Sequence, residues 1–295
     1  MTPRRLAGCG TALATPFTAS GAVDEAALRA FVEWQISQGI HFLVPCGSTG
    51  EAATLTPEEH VRVVAITVEA AAGRVPVVAG AGSNDTARAI TMTRAVKAAG
   101  ATHALHVSPM YNRPPQRGIV AHFAAIAAAV ELPIVVYNVP SRTASNIEAA
   151  TTLQLAAVPG IVAIKEASGN VAQIAQIIRE RPTEFVVLSG DDSLALPVMA
   201  LGGEGVISVT SNATPLQMVE LVNACAAEDY ATARVLHRKL MPWMAAVFVE
   251  SNPVPLKYAL HALGKMQNVV RLPMVPLDPT LGDTVANALR TAGAL

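Results

Sequence analysis

Apolar and polar positions along the chain follow two alternating rhythms. Short runs rich in Val, Ile, Leu and Ala recur every 20–35 residues or so: GTALATPF (10–17), HFLVPC (41–46), VPVVAGAG (75–82), HALHVSP (103–109), PIVVYNV (133–139), IVAIKEA (161–167), FVVLSGD (185–191) and GVISVTS (205–211). They are near-continuous, as parallel strands buried on both faces should be. Between them apolar residues return at helical spacing over 24–38, 57–72, 85–99, 119–130, 147–157, 171–180, 193–201 and 215–227. TPEEH (56–60) shows one helix start, with a threonine cap, proline at the first helical position and acids in the first turn. Eight strands alternating with eight helices predict an α/β fold, a (β/α)8 TIM barrel spanning 1–227. An open doubly wound sheet is the competing arrangement, but it would want a GxGxxG turn after an early strand, and none occurs. Beyond 227 the strands stop, and 229–249, 254–263 and about 279–293 read as helices. No low-complexity linker intervenes, so 228–295 is expected to form a small helical appendage packed on the barrel.

Composition narrows the classes of function. A chain of 295 residues can bury most of the apolar surface that its unfolded form exposes. Its net charge is −1, which leaves no broad basic surface and argues against a nucleic-acid partner. The three cysteines, Cys9, Cys46 and Cys225, are odd in number and far apart, with no CxxC pair. Neither a disulfide framework nor a zinc ribbon is indicated, and a reducing compartment is expected. MTPRRLAGCG has two arginines but no long apolar run after them, and the apolar stretch 240–249 falls short of the roughly 20 residues a spanning helix needs. A soluble, cytoplasmic protein with no membrane partner is expected.

Polar residues concentrate after the predicted strands, where a barrel builds its site. These segments are CGSTGEA (46–52), SPMYNRP (108–114), YNVPSRT (137–143), KEASG (165–169), SGDDS (189–193) and SVTSN (208–212). The opposite strand ends show mostly Val-Pro, Leu-Pro, Pro-Gly and Gly turns. This one-sidedness points to an enzyme. Alternation along a strand puts Ile161, Ala163, Lys165 and Ala167 on one face and Glu166 on the other, toward the helices. Lys165 can then point into the barrel, where burial would favour its neutral amine, a nucleophile toward carbonyls. The plainer alternative is a lysine that snorkels to solvent at a strand end. GSTGE (47–51) joins a strand to a helix and offers free N–H groups and hydroxyls to a carboxylate or phosphate, or is simply a capped turn. Tyr111 and Tyr137 stand at strand ends and suit proton shuttling, or are half-buried aromatics. Arg142 suits a bidentate carboxylate clamp, or is a solvated loop arginine. Metal chemistry is poorly supported. His103 and His106 lie three apart on a strand and face opposite ways, and Asp191 and Asp192 are expected to cap the helix that follows them.

GTALATPF, GSTGEAATL, YNRP, YNVPSRT, IKEASG, SGDD, GVISVTSN and ESNPVPLK occur in this order. Together they resemble the dihydrodipicolinate synthase family of pyruvate-dependent class I aldolases, from about residue 8 to 260. The resemblance implies an imine between pyruvate and Lys165, with Tyr137 as its catalytic partner. It implies a hydroxyl relay of Ser48, Tyr111 and Tyr137, with Tyr111 reaching into a neighbouring subunit. Thr49, with the backbone at Ser48, would hold the pyruvate carboxylate, and Arg142 the carboxylate of aspartate semialdehyde. Gly190 and Ile207 would line the pocket. No metal or organic cofactor is implied, and a dimer of dimers is the expected assembly. The implied reaction is condensation to 4-hydroxy-tetrahydrodipicolinate, in lysine and diaminopimelate biosynthesis. The alternatives are a related aldolase or dehydratase acting on a sugar acid or hydroxy-oxo acid, and a non-catalytic binding protein. GSTGE, where the synthases commonly have GTTGE, is also familiar from the N-acetylneuraminate lyases, while Arg142 argues for the synthase. At the positions of the family's lysine-effector site this chain has His60 but also Pro57, Arg88 and Met110, so weak or absent feedback by lysine is expected.

Overall fold

The computed structural model describes residues 5–295. Eight parallel strands, β1 (Gly8–Ala12), β2 (Phe42–Val44), β3 (Val78–Gly80), β4 (His103–Val107), β5 (Ile134–Asn138), β6 (Ile161–Glu166), β7 (Val186–Ser189) and β8 (Gly205–Ser208), pair in the order β2-β1-β8-β7-β6-β5-β4-β3. The two ends of that order meet. Leu43 bridges to Val77, the Leu43 amide donates to the Pro76 carbonyl at 3.0 Å, and the Gly80 amide donates to the Pro45 carbonyl at 2.9 Å. The sheet is thus closed into a (β/α)8 TIM barrel. Helices α1 (Glu25–Ser37), α2 (Pro57–Ala71), α3 (Thr86–Ala98), α4 (Gln116–Ala129), α5 (Pro140–Thr143, one turn), α6 (Ala149–Ala156), α7 (Val171–Glu180), α8 (Ala195–Ala200) and α9 (Pro215–Ala226) alternate with the strands. Three more follow: α10 (Tyr230–Ala246), α11 (Val254–Ala262) and α12 (Gly282–Ala292).

Local chemistry accounts for several boundaries. At α2 the Thr56 hydroxyl accepts from the Glu59 amide and the Glu59 carboxylate accepts from the Thr56 amide, a complete capping box. Asp24, Asp85, Asn170 and Asp229 cap α1, α3, α7 and α10 more simply, each side chain accepting from the amide three residues on. The expected helix over 193–201 is divided. A 3-10 turn at Asp192–Leu194 precedes α8, because Asp191, not Asp192, is the capping residue.

The barrel interior is filled by side chains from all eight strands. Phe42, Val44, Val78, Leu105, Val135, Ala163, Leu188 and Ile207 form one cluster. Gly10 makes room for it, since a β-carbon there would lie 2.0 Å from the Phe42 ring. The expected alternation along β6 fails at its start. Ile134 pairs with Ile161 but Val135 pairs with Ala163, so Val162 is an extra, bulged residue. Ile161 consequently joins Ile134 and Ile164 in the helix layer, while Ala163 faces the interior. Parity from Ala163 onward is intact and carries Lys165 inward. At the far end of the chain, α10 packs on α9 and α12. Trp243, Leu256 and Val285 share one apolar cluster with Cys9, Leu43 and Val206. No described helix is long and apolar enough to cross a membrane.

Candidate active site

At the C-terminal mouth of the barrel lies a cavity of about 420 Å³, lined by Ser48, Thr49, Tyr137, Arg142, Lys165 and Gly190, among others. They arrive from four strand ends, those of β2, β5, β6 and β7. Tyr137 on β5 and Lys165 on β6 are register partners, so their side chains stand next to each other. The Lys165 ammonium sits 4.3 Å from the centre of the Tyr137 ring, in cation–π contact with it. Lys165 is buried, and loss of solvent pulls its ammonium down to about 8, with the positive charge of Arg142 adding to the fall and Asp192 opposing it. Against a free lysine near 10.4, that raises the neutral, nucleophilic fraction at neutral pH by roughly two orders of magnitude. Burial pushes the Tyr137 phenol the other way, up to about 12, so it stays protonated and able to donate. Gly190 follows β7 and packs flat on the lysine stem. A β-carbon there would lie 2.7 Å from Ala167 Cβ and 3.0 Å from Lys165 Cγ.

The GSTGE turn after β2 forms the opposite wall. Thr49 is buried, and its hydroxyl accepts a 2.9 Å hydrogen bond from the Asn252 side-chain amide. Ser48 is exposed at the mouth. Arg142 sits in α5, the single turn after β5, and faces the same cavity. Two expected residues lie elsewhere. Ile207 is fully buried in the barrel interior, beneath residues such as Tyr137 that share its apolar cluster, and does not itself line the cavity. Tyr111, on the loop after β4, is 90% exposed with a left-handed backbone (φ 70°) and is outside the cavity of its own chain.

Other residues at the site were not legible in the sequence. By sequence alone, Asp192 pairs with Asp191 as a helix cap. Asp191 does cap, accepting from the Ser193 amide and hydroxyl. Asp192 instead turns inward, is buried, and accepts from the Val209 and Thr210 amides at 2.9 and 3.0 Å. Burial holds its carboxyl above the usual range. The expectation that Glu166 faces the helices is met. It is buried there and accepts from the Asn138 side chain, the Ser168 amide and the Gln173 side chain. The third wall comes from the C-terminal helices, with Met241, Met244, Ala245 and Phe248 on or just after α10, and Asn252 before α11. ESNPVPLK (250–257) was the one signal available for these, and only as part of a motif series.

A second cavity of about 510 Å³ adjoins the first and shares Ser48, Tyr137, Arg142 and Asn252 with it. Pro57, His60, Arg88 and Met110 all line it. His60 is held neutral by burial, its ring 2.7 Å from the Gly80 carbonyl oxygen. His103 and His106 are separated by their strand as expected. Leu105 and Val107, which share the alternation of His103, pack in the barrel interior, whereas His106 meets Thr93 of α3 and Phe123 of α4. Among the described residues, no three His, Cys, Asp or Glu side chains cluster as a metal-ion site. Cys9, Cys46 and Cys225 are buried and unpaired.

Known proteins share both this sequence and this architecture. The profile described as the dihydrodipicolinate synthetase family matches residues 5–292. A 4-hydroxy-tetrahydrodipicolinate synthase of Koribacter versatilis is 51% identical over 292 residues, 99% of this chain and 97% of that one. The crystal structure of dihydrodipicolinate synthase from Aquifex aeolicus superposes with a TM-score of 0.95 at 41% identity, covering 98% of this chain and 99% of that one. A structure described as the first monomeric dihydrodipicolinate synthase variant superposes with a TM-score of 0.97 at 37% identity, covering 99% and 98%. Alike in sequence and in fold over nearly its whole length, the chain belongs to the dihydrodipicolinate synthetase family.

Proposed function

We propose that this protein is a 4-hydroxy-tetrahydrodipicolinate synthase, condensing pyruvate with L-aspartate 4-semialdehyde through an imine at Lys165. The observation that carries the reading is Lys165 itself, buried at the barrel mouth, stacked on Tyr137 and facing an open cavity. Its neutral amine attacks the pyruvate keto carbon, and loss of water gives the imine. The protonated imine draws electrons from the adjacent methyl group, which loses a proton to become an enamine. The enamine carbon attacks the aldehyde, and the aldehyde oxygen takes up a proton. The amino group of the former semialdehyde then displaces Lys165 from the imine carbon, closing the ring and freeing the lysine. This route needs no metal or organic cofactor, because the protonated imine is the electron sink.

The remaining residues take roles consistent with their positions. Thr49 and the backbone at Ser48 hold the pyruvate carboxylate, and Arg142 meets the carboxylate of the semialdehyde. Tyr137, protonated and beside the imine, passes protons through Ser48 and Tyr111. Tyr111 is exposed in its own chain and completes the site of a second copy in a cytoplasmic dimer of dimers. Reduction with borohydride in the presence of pyruvate should add the pyruvate-derived mass to a peptide containing Lys165, and a Lys165→Ala protein should gain none. Undiminished trapping in that variant would refute the assignment.

A further inference from the structure

We propose that Lys257 is a positioning residue for the carboxylate-binding turn, acting on it through Glu51. The proposal rests on the reading above, in which Ser48 and Thr49 hold pyruvate. Lys257 lines neither of the two cavities at the mouth and so does not touch substrate. Its ammonium lies 2.5 Å from Glu51 Oε1, with both side chains almost wholly withdrawn from solvent (0% and 2% exposed). Glu51 closes the GSTGE turn two residues after Thr49, and its backbone is left-handed (φ 53°), a conformation that a residue with a β-carbon adopts only when its surroundings hold it there.

The surroundings are supplied by the C-terminal segments. Glu51 Oε2 accepts from the Arg271 amide at 3.0 Å. Lys257 donates to the Val269 carbonyl at 2.8 Å and stands 4.0 Å from the centre of the Phe17 ring, a ring the Arg271 guanidinium approaches to 4.4 Å. Arg271 also forks onto Glu59 and donates to the carbonyls of Gly21 and Thr54. Beside this knot Asn252 holds the Thr49 hydroxyl, and the Thr15 hydroxyl donates to the Gly50 carbonyl. A buried ion pair is weak evidence for stability, since an apolar pair of similar volume often folds as well. What the pair supplies here is register: it fixes where the turn stands relative to Lys165, at the far wall of the cavity.

The test uses Glu51→Gln, Lys257→Met and the double variant, each assayed for kinetics in pyruvate and in aspartate semialdehyde. Glu51→Gln keeps the shape and an acceptor for Arg271. The double variant removes both charges together and carries the test if Lys257→Met alone does not fold. The expected result is a rise of about tenfold or more in KM for pyruvate, with KM for the semialdehyde and kcat within about threefold of the parent. The inference is overturned if KM for pyruvate stays within about twofold, or if both KM values and kcat worsen together by similar factors, as a general loosening would produce. It is also overturned if none of the variants folds, because the pair would then be a requirement of folding alone. Borohydride trapping of pyruvate by the parent protein separates the two readings. A parent that traps none removes the catalytic reading, whereas a parent that traps it beside variants of unchanged KM removes only the role of Lys257.

Discussion

Lys165 and Lys257 are both stripped of water and both drawn down to about 8 by it, yet only Lys165 lines a cavity. The Lys257 amine is occupied by Glu51 and Val269. The nucleophile is therefore set apart by what its nitrogen faces rather than by its acidity. Imine formation at Lys165 should rise with pH through about 8 and level off above it, as the amine loses its proton. Asp192 works against that loss, because its negative charge favours the ammonium. Asp192→Asn keeps an acceptor for the Val209 and Thr210 amides while removing the charge. It should shift the pH profile of pyruvate trapping toward acid, by up to about one unit. A profile that stays in place or moves to alkali would count against this coupling. In the sequence Lys165 could be placed by parity alone. Asp192 could not, because adjacent aspartates before a helix look like caps, and only the fold shows one of them turned to the amides just after β8.

At the scale of elements, strand and helix order could be read from hydrophobic rhythm because each barrel strand is buried on both faces. TPEEH gave its helix start because a capping box is a local affair, complete within four residues. What could not be read was the reach of α10 and of the segment before α11 into the site. The sequence distance from Thr49 to Asn252 is 203 residues, and nothing local in either segment announces the contact. The second cavity is likewise an assembly of elements, with Pro57 and His60 from α2 and Arg88 from α3 brought to one wall. A lysine entering there would bring its ammonium to a wall that carries the Arg88 guanidinium and the neutral His60 imidazole. Lysine at millimolar concentration should accordingly leave steady-state activity within about twofold of its unliganded value. Near-complete inhibition would contradict this.

For the whole molecule, the histidines set a limit on acid tolerance. Burial holds His103 at about 4 and His106 at about 3, and lowers His60 and His122 as well. The unfolded chain takes up protons on these groups near pH 6.5, whereas the folded chain does not. Stability that is complete above that pH is therefore lost as the pH falls below it. At pH 5.5 His103 and His106 should each cost about 1.4 kcal/mol, seen as a lower urea midpoint than at pH 7.5. The buried carboxyls of Glu166 and Asp192, raised by burial, oppose this in part. An unchanged midpoint would rule the histidines out. Tyr111 bears on the proposed assembly: it stands exposed on a left-handed backbone, placed where a second copy could meet it. The protein should sediment as a homotetramer, and a fully active monomer would dispose of the shared site. The histidine effect could not be read from residue order, since burial belongs to the folded chain, whereas the assembly is implied only by the motif resemblance.

The extra residue in β6 separates two halves of that strand that keep different time. Below it, Ile161 answers to the helices; above it, Lys165 answers to the barrel. Losing one residue at Val162 would merely straighten the strand and leave Lys165 inside. Losing one between Ala163 and Lys165 would exchange Lys165 with Glu166, sending the amine among the helices and a carboxylate into the mouth. Tolerance of insertion and deletion along this strand is thus one-sided, with Val162 as its dividing mark.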